Sequence, residues 1–236
     1  MERAVTEKSE LLARLATIVA DDAARRPLTM RLCRACLTML GGDGASITVE
    51  ASVTDRVTLC ATDDDAAALE DLQEVLGEGP GKDAYRSGVA VQASLGDDAD
   101  AHDRWPRFTR AARERIGGGV LYALPMRPGP EVLGVLSVYL VVPRPLRLPS
   151  ASAQFLSDTV GAALLRDPLS TQDAEHSGAW AGRSQIHQAT GMVVAQLGLP
   201  VQDALAILRA HAFAHDMTMA DLAREVVERR YDFRGE

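Results

Sequence analysis

The hydrophobic pattern of this chain changes once along its length, and that change limits the architectures it can adopt. Up to about residue 166, segments with helical spacing of apolar residues are mixed with segments that alternate as half-buried strands do. Residues 167–177 are polar, include a proline and have no periodicity, and beyond them only helical spacing occurs. The sequence therefore predicts an α+β unit over residues 1–166, a linker over 167–177 and a small helical unit over 178–236.

Five segments of the first unit have the alternation or the apolar content of strands. Helical spacing occurs before, between and after them, and Gly77–Gly81 is predicted to break regular structure. Short connections at Ser52–Asp55 and Arg127–Pro130 suit hairpins, so we expect an antiparallel sheet flanked by helices. The predicted strands are residues 44–51, 56–61, 89–93, 120–126 and 132–142, and the predicted helices are residues 11–19, 28–40, 64–76, 105–116 and 150–165.

The second unit has no strand signal and is predicted to form three short helices over residues 186–197, 200–212 and 218–227. The third begins with Thr218 and Asp221 at the spacing of a capping box. A bundle this small buries little apolar surface, so we expect it to need a partner surface.

The charge distribution does not by itself favour a nucleic-acid partner. The whole chain has 25 Lys and Arg against 33 Asp and Glu, a net charge of −8. Residues 178–236 have six arginines and seven acidic residues, a net charge of −1. Since phosphate contacts supply much of the affinity for nucleic acid, composition alone gives no reason to expect such binding.

The sequence gives no membrane or secretion signal. The longest apolar run, residues 132–142, contains Gly134 and Ser137 and is shorter than the roughly 20 residues that a membrane helix needs. The N-terminus lacks a basic region followed by an apolar segment, so we expect a cytoplasmic protein.

Neither a metal site nor a catalytic site is predicted. Cys33 and Cys36 lie on an apolar helical stripe, where they are expected to be small buried residues, and Cys60 stands alone. His211 and His215 have the spacing of helical metal ligands, but no third ligand is evident nearby. No nucleophile triad, Walker loop or dinucleotide motif occurs. We therefore expect no cofactor, no metal and no enzyme activity.

The helical unit resembles the ANTAR domain of transcription antitermination regulators. The resemblance rests on residues 186–198, with Ala189, Gly191 and Met192 at its centre, followed at family spacing by residues 204–213 and 222–227. It implies a helical bundle on a dimer's coiled coil. It also implies binding to paired RNA hairpin loops of leader transcripts, which prevents a terminator from forming.

The first unit resembles the GAF sensor domains that accompany ANTAR domains in actinobacterial regulators. The resemblance rests on residues 77–80, 103–108, 123–126 and 133–136, which occur in the expected order. It implies a GAF-like sheet and a small-molecule ligand or other signal. A cysteine often follows the Gly-Pro pair in such domains, and Gly81 at that position puts thiol-based sensing in doubt.

Long polar side chains off the apolar stripe are the candidate RNA contacts, because arginine can bind a phosphate with two hydrogen bonds and stack on an unpaired base. Gly191 could mark close approach of RNA or tight helix packing, and both remain open. Arg209 could instead pair with Asp203, and the last arginines could stabilise a helix end. The predicted RNA-binding residues are Arg183, His187, Gln188, Gly191, Met192, Arg209, Arg229 and Arg230.

A ligand pocket in the sensor is predicted between the sheet and the 77–108 crossover. The few aromatic residues of the chain are concentrated there, although an ordinary core without a ligand would look the same. The predicted lining residues are Tyr85, Trp105, Phe108, Tyr122, Met126 and Tyr139.

The sequence thus predicts an RNA-binding antitermination regulator controlled through a sensor domain. Apolar stripes at residues 11–19, 150–165 and 186–197 predict a homodimer. Two alternatives remain open: a helix-turn-helix DNA-binding regulator, and a sensor whose helical tail binds only protein.

Overall fold

The structure, a computed structural model, describes residues 2–21, 26–52, 55–96, 104–166, 179–215 and 217–235. The predicted linker over 167–177 lies outside these residues. Two kinds of element make up the first unit, and helices make up the second. The strands are β1 (Gly44–Ser52), β2 (Asp55–Ala61), β3 (Val91–Ser94), β4 (Val120–Met126) and β5 (Gly134–Leu140). The helices are α1 (Glu2–Asp21), α2 (Leu28–Leu40), α3 (Asp64–Leu76), α4 (Pro80–Ser87), α5 (Pro106–Ile116), α6 (Ser150–Arg166), α7 (Ala179–Leu197), α8 (Val201–Ala214) and α9 (Met219–Val227), and a 3-10 turn follows at Phe233–Gly235.

The five strands form one antiparallel sheet in the order β2-β1-β5-β4-β3. Two hairpins, β1–β2 and β4–β5, meet through the β1–β5 pair, and β3 covers the other edge of β4. The prediction of a five-stranded antiparallel sheet flanked by helices is confirmed, and the strand bounds differ from the predicted ones by at most two residues.

Alternate residues of the central strands face two different helical layers. In β4 and β5, Leu124, Leu136 and Val138 point to a core shared with α1, α2 and α6. Leu121 and Tyr139 point to the opposite side, against α3 and α5. Since both faces are covered, the sheet is the middle of three layers.

The first layer contains the cysteine pair. Cys33 and Cys36 of α2 are fully buried, as the helical stripe predicted. Contact with Cys60 and burial raise the pKa of Cys33 well above its usual value, and burial raises that of Cys36. Thiols held this way are poor nucleophiles. The helix ends at Gly41, whose φ of 76° requires glycine and whose N–H donates to Leu37 O.

The second layer begins with an aspartate cap. Asp63 Oδ1 accepts a hydrogen bond from the Ala66 N–H at 2.8 Å and another from the Tyr139 hydroxyl at 3.1 Å. Burial, followed by the charge of Asp63, raises the pKa of Tyr139. The cap fixes α3 to the sheet at its N-terminal end.

The prediction that Gly77–Gly81 breaks regular structure is wrong at its second half, where α4 begins. Pro80 occupies the first turn of α4, where proline needs no N–H partner. Gly79 has a φ of 145°, and a Cβ there would lie 2.5 Å from the Gln73 side chain. The Gly81 N–H donates to Gln73 Oε1 at 2.7 Å. The glycines therefore allow α4 to start directly against α3.

The second unit is a three-helix bundle around its own core. The cap predicted for α9 is present, since Thr218 Oγ1 accepts from the Asp221 N–H at 3.1 Å. The core residues are mostly Ala, Leu and Val, and they come from all three helices: Ala189, Val193, Ala204, Leu205, Leu208, Ala212, Met219, Leu222, Ala223 and Val226.

The second unit packs against the sensor unit through α3. Val75 of α3 is 7% exposed and belongs to the same apolar cluster as the core of the bundle. Helices α8 and α9 contact α3, and α7 contacts β2. The sensor thus supplies the partner surface that a bundle of this size was expected to need.

None of the described helices is on its own long and apolar enough to cross a membrane. Residues 188–197 and 201–214 pass that test only as a pair bent by 105°.

Candidate nucleic-acid interface

Helix α7 has one buried face and one open face. Ala189 and Val193 are fully buried in the bundle core, one turn apart. Gln188, Gly191 and Ala195 follow each other at intervals of three and four residues and are exposed. This spacing puts the three on one side of the helix, so α7 presents a continuous strip of small and polar residues to solvent.

The glycine of this strip is not required by packing within the chain. A Cβ added at Gly191 would meet nothing within 4 Å. Glycine inside a helix costs about 1 kcal/mol relative to alanine. Of the two explanations left open by the sequence, tight packing inside the bundle is therefore not supported by the described residues, and the glycine faces open space.

The other predicted RNA-binding residues of α7 are not seen on this open strip. Met192 is half-buried and packs against the bundle core. Arg183 and His187 belong to the helix, but their side chains lie outside the part of the chain that the structure describes. Of the predicted RNA-binding residues, Gln188 and Gly191 are therefore the two whose place on the strip is described.

Arg209 of α8 is turned towards the sensor unit. Its Nη2 lies 3.1 Å from Glu74 Oε1 of α3, and the two side chains are 22% and 19% exposed. Its Nε is buried without a hydrogen-bond partner among the described residues. An intramolecular ion pair was foreseen for Arg209, but with Asp203 as the partner. The acid that it meets comes from the other unit, 135 residues away in sequence.

Glu74 also holds a second cation. Lys82 Nζ lies 3.5 Å from Glu74 Oε2, and both side chains are largely buried. Glu74 therefore joins α4 of the sensor to α8 of the bundle, next to the apolar contact made by Val75. Both kinds of contact cover the same side of α8.

The remaining arginines of the bundle are mostly neutralised by local acids. Arg224 pairs with Asp221 at 2.6 Å, Arg230 with Glu228, and Arg234 with Asp232 at 2.6 Å. Among the arginine side chains described in this unit, Arg229 alone makes no ion pair. It is exposed, and its φ of 58° is a left-handed value that non-glycine residues rarely adopt.

The predicted RNA-binding residues thus occupy three places rather than one. Gln188 and Gly191 lie on the open strip of α7, Arg209 lies in the contact with α3, and Arg229 and Arg230 follow the end of α9. Recognition by a broad basic surface does not fit this arrangement.

A group of stacked rings, which the sequence did not predict, attaches the C-terminal residues to α8. The His211 and His215 rings stack with centroids 4.0 Å apart, and Tyr231 lies 4.2 Å from His211. Phe233 is buried in the bundle core, and its N–H donates to Gln196 Oε1 at 3.2 Å. The histidine pair at metal-ligand spacing is therefore part of a packing cluster. Of the residues that the structure describes, no three form a group able to hold a metal.

The predicted sensor-pocket residues are divided between the two faces of the sheet. Trp105, Phe108 and Tyr139 pack together under α3 and α5. Tyr122 and Met126 face the α1, α2 and α6 layer. Tyr85 packs in a third small cluster on α4.

The space beneath α3 is filled by a polar cluster that sequence reasoning missed. Glu70 is 3% exposed and accepts hydrogen bonds from Ser46 Oγ at 2.7 Å and Gln73 Nε2 at 3.1 Å. Arg56 Nη2 pairs with it at 2.5 Å. The space between these residues and Ser137 leaves no room for a water molecule. The only sequence signal was an acid among the apolar positions of α3.

Comparison with known proteins identifies the second unit but not the first. Residues 175–227 match the family model described as the ANTAR domain. The match takes in α7, α8 and α9 and ends at Val227, the last residue of α9. It places the bundle among regulatory rather than catalytic domains. No curated protein matches the chain.

Several GAF domains are similar to the chain in solved structures. The GAF domain of a phosphoenolpyruvate-protein phosphotransferase (ptsP) from Coxiella burnetii is 16% identical, with 73% of this chain and 98% of that chain covered and a TM-score of 0.45. The one from the Acinetobacter phosphoenolpyruvate-protein phosphotransferase is 15% identical, with 66% and 95% covered and a TM-score of 0.44. GAF-B of DevS from Mycobacterium smegmatis is 16% identical, with 63% and 96% covered and a TM-score of 0.40. TM-scores this low carry no argument about the first unit.

Proposed function

We propose that this protein is an RNA-binding regulator of transcription antitermination whose RNA-binding unit, residues 178–236, is controlled by a GAF-like sensor unit, residues 1–166. The observation that carries the proposal is the ANTAR match over the whole three-helix bundle. The target class is a pair of short RNA hairpins in a leader transcript. The cytoplasm is where such transcripts are made.

The open strip of α7 supports a loop-reading mode of recognition. Gln188 offers hydrogen-bond donors and acceptors beside a glycine over which nothing packs. Sequence-specific RNA recognition mostly uses such contacts to unpaired bases. With a net charge of −1 over residues 178–236, binding has to depend on a few placed contacts. We therefore propose that the strip of α7 meets the hairpin loops, with Arg183 and His187 on the same helix.

The contact between α8 and α3 supports control by docking. If Arg209 contributes to RNA binding, its pairing with Glu74 competes with that role. A signal that weakens the docked arrangement would then raise the fraction of molecules able to bind RNA, and the apparent affinity would rise with that fraction.

A homodimer is proposed for the active form. Leu11 and Leu15 of the predicted stripes are buried within the chain itself, which leaves Leu12 at 43% and Leu165 at 63% exposed. Apolar side chains at these positions support a contact between copies. Light scattering at micromolar concentration should give the mass of a dimer, and a monomer mass would remove this part of the proposal.

The experiment that tests the function is a fluorescence titration of tandem short hairpins with the full chain. Gln188→Ala should weaken binding by roughly 1–3 kcal/mol, the range for one good polar contact to a base. Gln202→Ala, an exposed glutamine at the start of α8, serves as the matched control and should bind as the wild type does. The salt dependence should be shallow, since few phosphates are contacted.

Two competitors distinguish the alternatives. Duplex DNA that displaces the hairpins would favour the helix-turn-helix hypothesis. Absence of binding to either nucleic acid at low salt would favour a tail that binds only protein. Either result would reject RNA recognition by this unit.

A further inference from the structure

A cavity of about 560 Å³ lies where the two units meet. Helix α3 provides one wall with Asp71 and Leu72, α5 provides a second with Glu114, and the bundle provides a third with Phe213 and Met217. Small-molecule sites occur preferentially at such junctions, and their volumes run from about 300 to 1,000 Å³. The cavity is distinct from the interior beneath α3, which Glu70 and its partners fill.

The walls of this cavity are mostly apolar, and their polar side chains are Asp71, Glu114, Arg115 and Thr218. Leu72 and Met217 are half-buried, while Phe213 is 44% exposed, a large fraction for a phenylalanine next to two helices of another unit. An aromatic ring that borders a cavity can bind an apolar body on its face and can also attract a cation. The lining is therefore suited to a molecule that has both an apolar body and a positive charge.

Within the part of the chain that the structure describes, the two carboxylates that line the cavity, Asp71 and Glu114, form no ion pair. No described residue forms an ion pair or hydrogen bond with Asp71, which keeps access to solvent. Arg115, the cation on this wall, is paired with Asp65 at 2.9 Å. Desolvation and then the charges of Glu70, Asp221 and Glu74 raise the pKa of Asp71 to about 6. Glu70, Glu74 and Asp221 have cationic partners of their own, so Asp71 is the carboxylate of α3 that borders the apolar space without an ion pair among the described residues.

We propose that this cavity is a binding site for a small amphipathic organic cation, with its apolar ring against Phe213, Leu72 and Met217 and its ammonium group beside Asp71. The ammonium group of such a molecule complements the carboxylate of Asp71, and its ring complements the apolar surface beside that carboxylate.

The consequence of binding rests on the proposed function. Because the walls come from both units, a molecule in the cavity contacts them only while they are docked, and it stabilises that arrangement. It keeps Arg209 on Glu74 and lowers the apparent affinity for RNA. The site therefore acts as a second input, separate from the interior of the sensor sheet.

The test is calorimetric titration of the full chain with three indoles of similar size and different charge: tryptamine, tryptophol and indole-3-acetate. We expect tryptamine to bind at least about tenfold more tightly than neutral tryptophol, and the anion not to bind measurably. Asp71→Asn should reduce the affinity for tryptamine to that for tryptophol. The matched control Asp64→Asn, an exposed aspartate on the same helix outside the cavity, should leave all three affinities unchanged.

A second variant tests the location. Ala68→Leu, on the α3 wall, fills part of the cavity and should abolish binding of both tryptamine and tryptophol. Equal affinities for the three indoles, no binding of any of them, or wild-type binding by Ala68→Leu with an intact melting transition would each overturn the site.

Calorimetry without RNA keeps this proposal separable from the proposed function. A chain that binds tryptamine as described but never binds hairpins rejects the RNA function alone. A chain that binds hairpins but no indole rejects the site alone. If both bind, tryptamine at saturation should weaken the hairpin affinity of the wild type and leave that of Asp71→Asn unchanged, and an unchanged wild-type affinity would reject the coupling.

Discussion

The open strip of α7 and the docked side of α8 belong to one three-helix bundle, yet their surroundings are opposite. Gln188 and Gly191 face solvent, and a side chain added at the glycine would touch nothing. Arg209 is held by Glu74 of the sensor unit, and Val75 completes the bundle core beside it. The comparison indicates that Gln188 and Gly191 are open to a ligand at all times. Arg209 becomes available to RNA only after the contact between α8 and α3 changes.

The docked side of α8 is also the side on which a substitution is expected to cost more free energy. A half-buried arginine needs its carboxylate, because leaving one partner of such a pair unmet costs more than the pair itself gains. The α7 strip has no comparable constraint. We therefore expect substitutions on α3 to change RNA binding through docking, and substitutions on α7 to change it directly.

The largest effect should come from placing a charge in the apolar contact. Val75→Asp puts a carboxylate into the bundle core at a residue that belongs to the sensor, which disfavours docking by several kcal/mol. The hairpin affinity of the full chain should rise by roughly tenfold or more, up to the limit set by the undocked fraction. Circular dichroism serves as the folding control. A folded variant with wild-type or weaker affinity would mean that docking does not restrict RNA binding.

The next effect separates the two roles of Arg209. In the Val75→Asp background, Arg209→Ala should weaken hairpin binding by about 1–3 kcal/mol. In the otherwise unchanged chain the loss should be smaller, because removing the arginine also loosens docking. Arg224→Ala, an exposed arginine of α9, is the matched control. Equal losses in the two backgrounds would show that the Glu74 contact is irrelevant to RNA.

A smaller effect tests the open strip. Gly191→Ala should raise the free energy of unfolding by roughly 0.5–1 kcal/mol, because alanine fits the open space and favours the helix. It should also weaken hairpin binding. The reverse substitution at the exposed neighbour, Ala195→Gly, should lower stability by a similar amount. A loss of stability in Gly191→Ala would mean that something packs on this strip, such as a second copy of the chain.

The smallest effect concerns pH. Desolvation, then the charge of Glu70 and then that of Asp221 raise the pKa of Asp71 to about 6, and Asp221 lies across the contact on α9. The docked form therefore holds this proton more tightly than the undocked form does. Docking is therefore favoured at low pH and weakens as the pH rises through about 6, the pKa of Asp71 in the docked form.

The measurement is hairpin affinity between pH 5 and 7 for the wild type and Asp71→Asn. As the pH is lowered, hairpin affinity should fall in the wild type, and this fall should be about two to three times as large a factor as in the variant. The difference between the two profiles isolates the contribution of Asp71. Parallel pH profiles would remove Asp71 from the docking contact.

Much of the fold was predictable because it depends on short-range patterns in the sequence. Strand alternation, the glycine that ends α2, the aspartate that caps α3 and the Thr218 cap each depend on a few neighbouring residues. Helix α4 was missed because its first turn contains Gly81, and the reason for that glycine lies in distant side chains, since a Cβ there would come 2.6 Å from Arg56 Nη2 and 2.9 Å from Gln73 Oε1.

The site was harder to predict because it depends on register and on distant pairs. Leu121, and not Tyr122, lies opposite Tyr139 in the sheet, which puts Tyr122 and Tyr139 on different faces. No periodicity within one strand contains that information. In the same way, Asp203 was the acid nearest to Arg209 in sequence, whereas the fold brings Glu74 to it.

The most direct test of control by docking is the hairpin affinity of Glu74→Gln. The substitution removes the charge that holds Arg209 and leaves a largely buried arginine without its carboxylate, so the docked form should lose at least the roughly 1 kcal/mol at the upper end for exposed pairs, and affinity should rise by about fivefold or more. Glu131→Gln, an exposed glutamate of the sensor that is remote in sequence from the contact, should leave the affinity unchanged. Hairpin affinity that is unchanged or lower in Glu74→Gln, with both variants folded, would contradict the account.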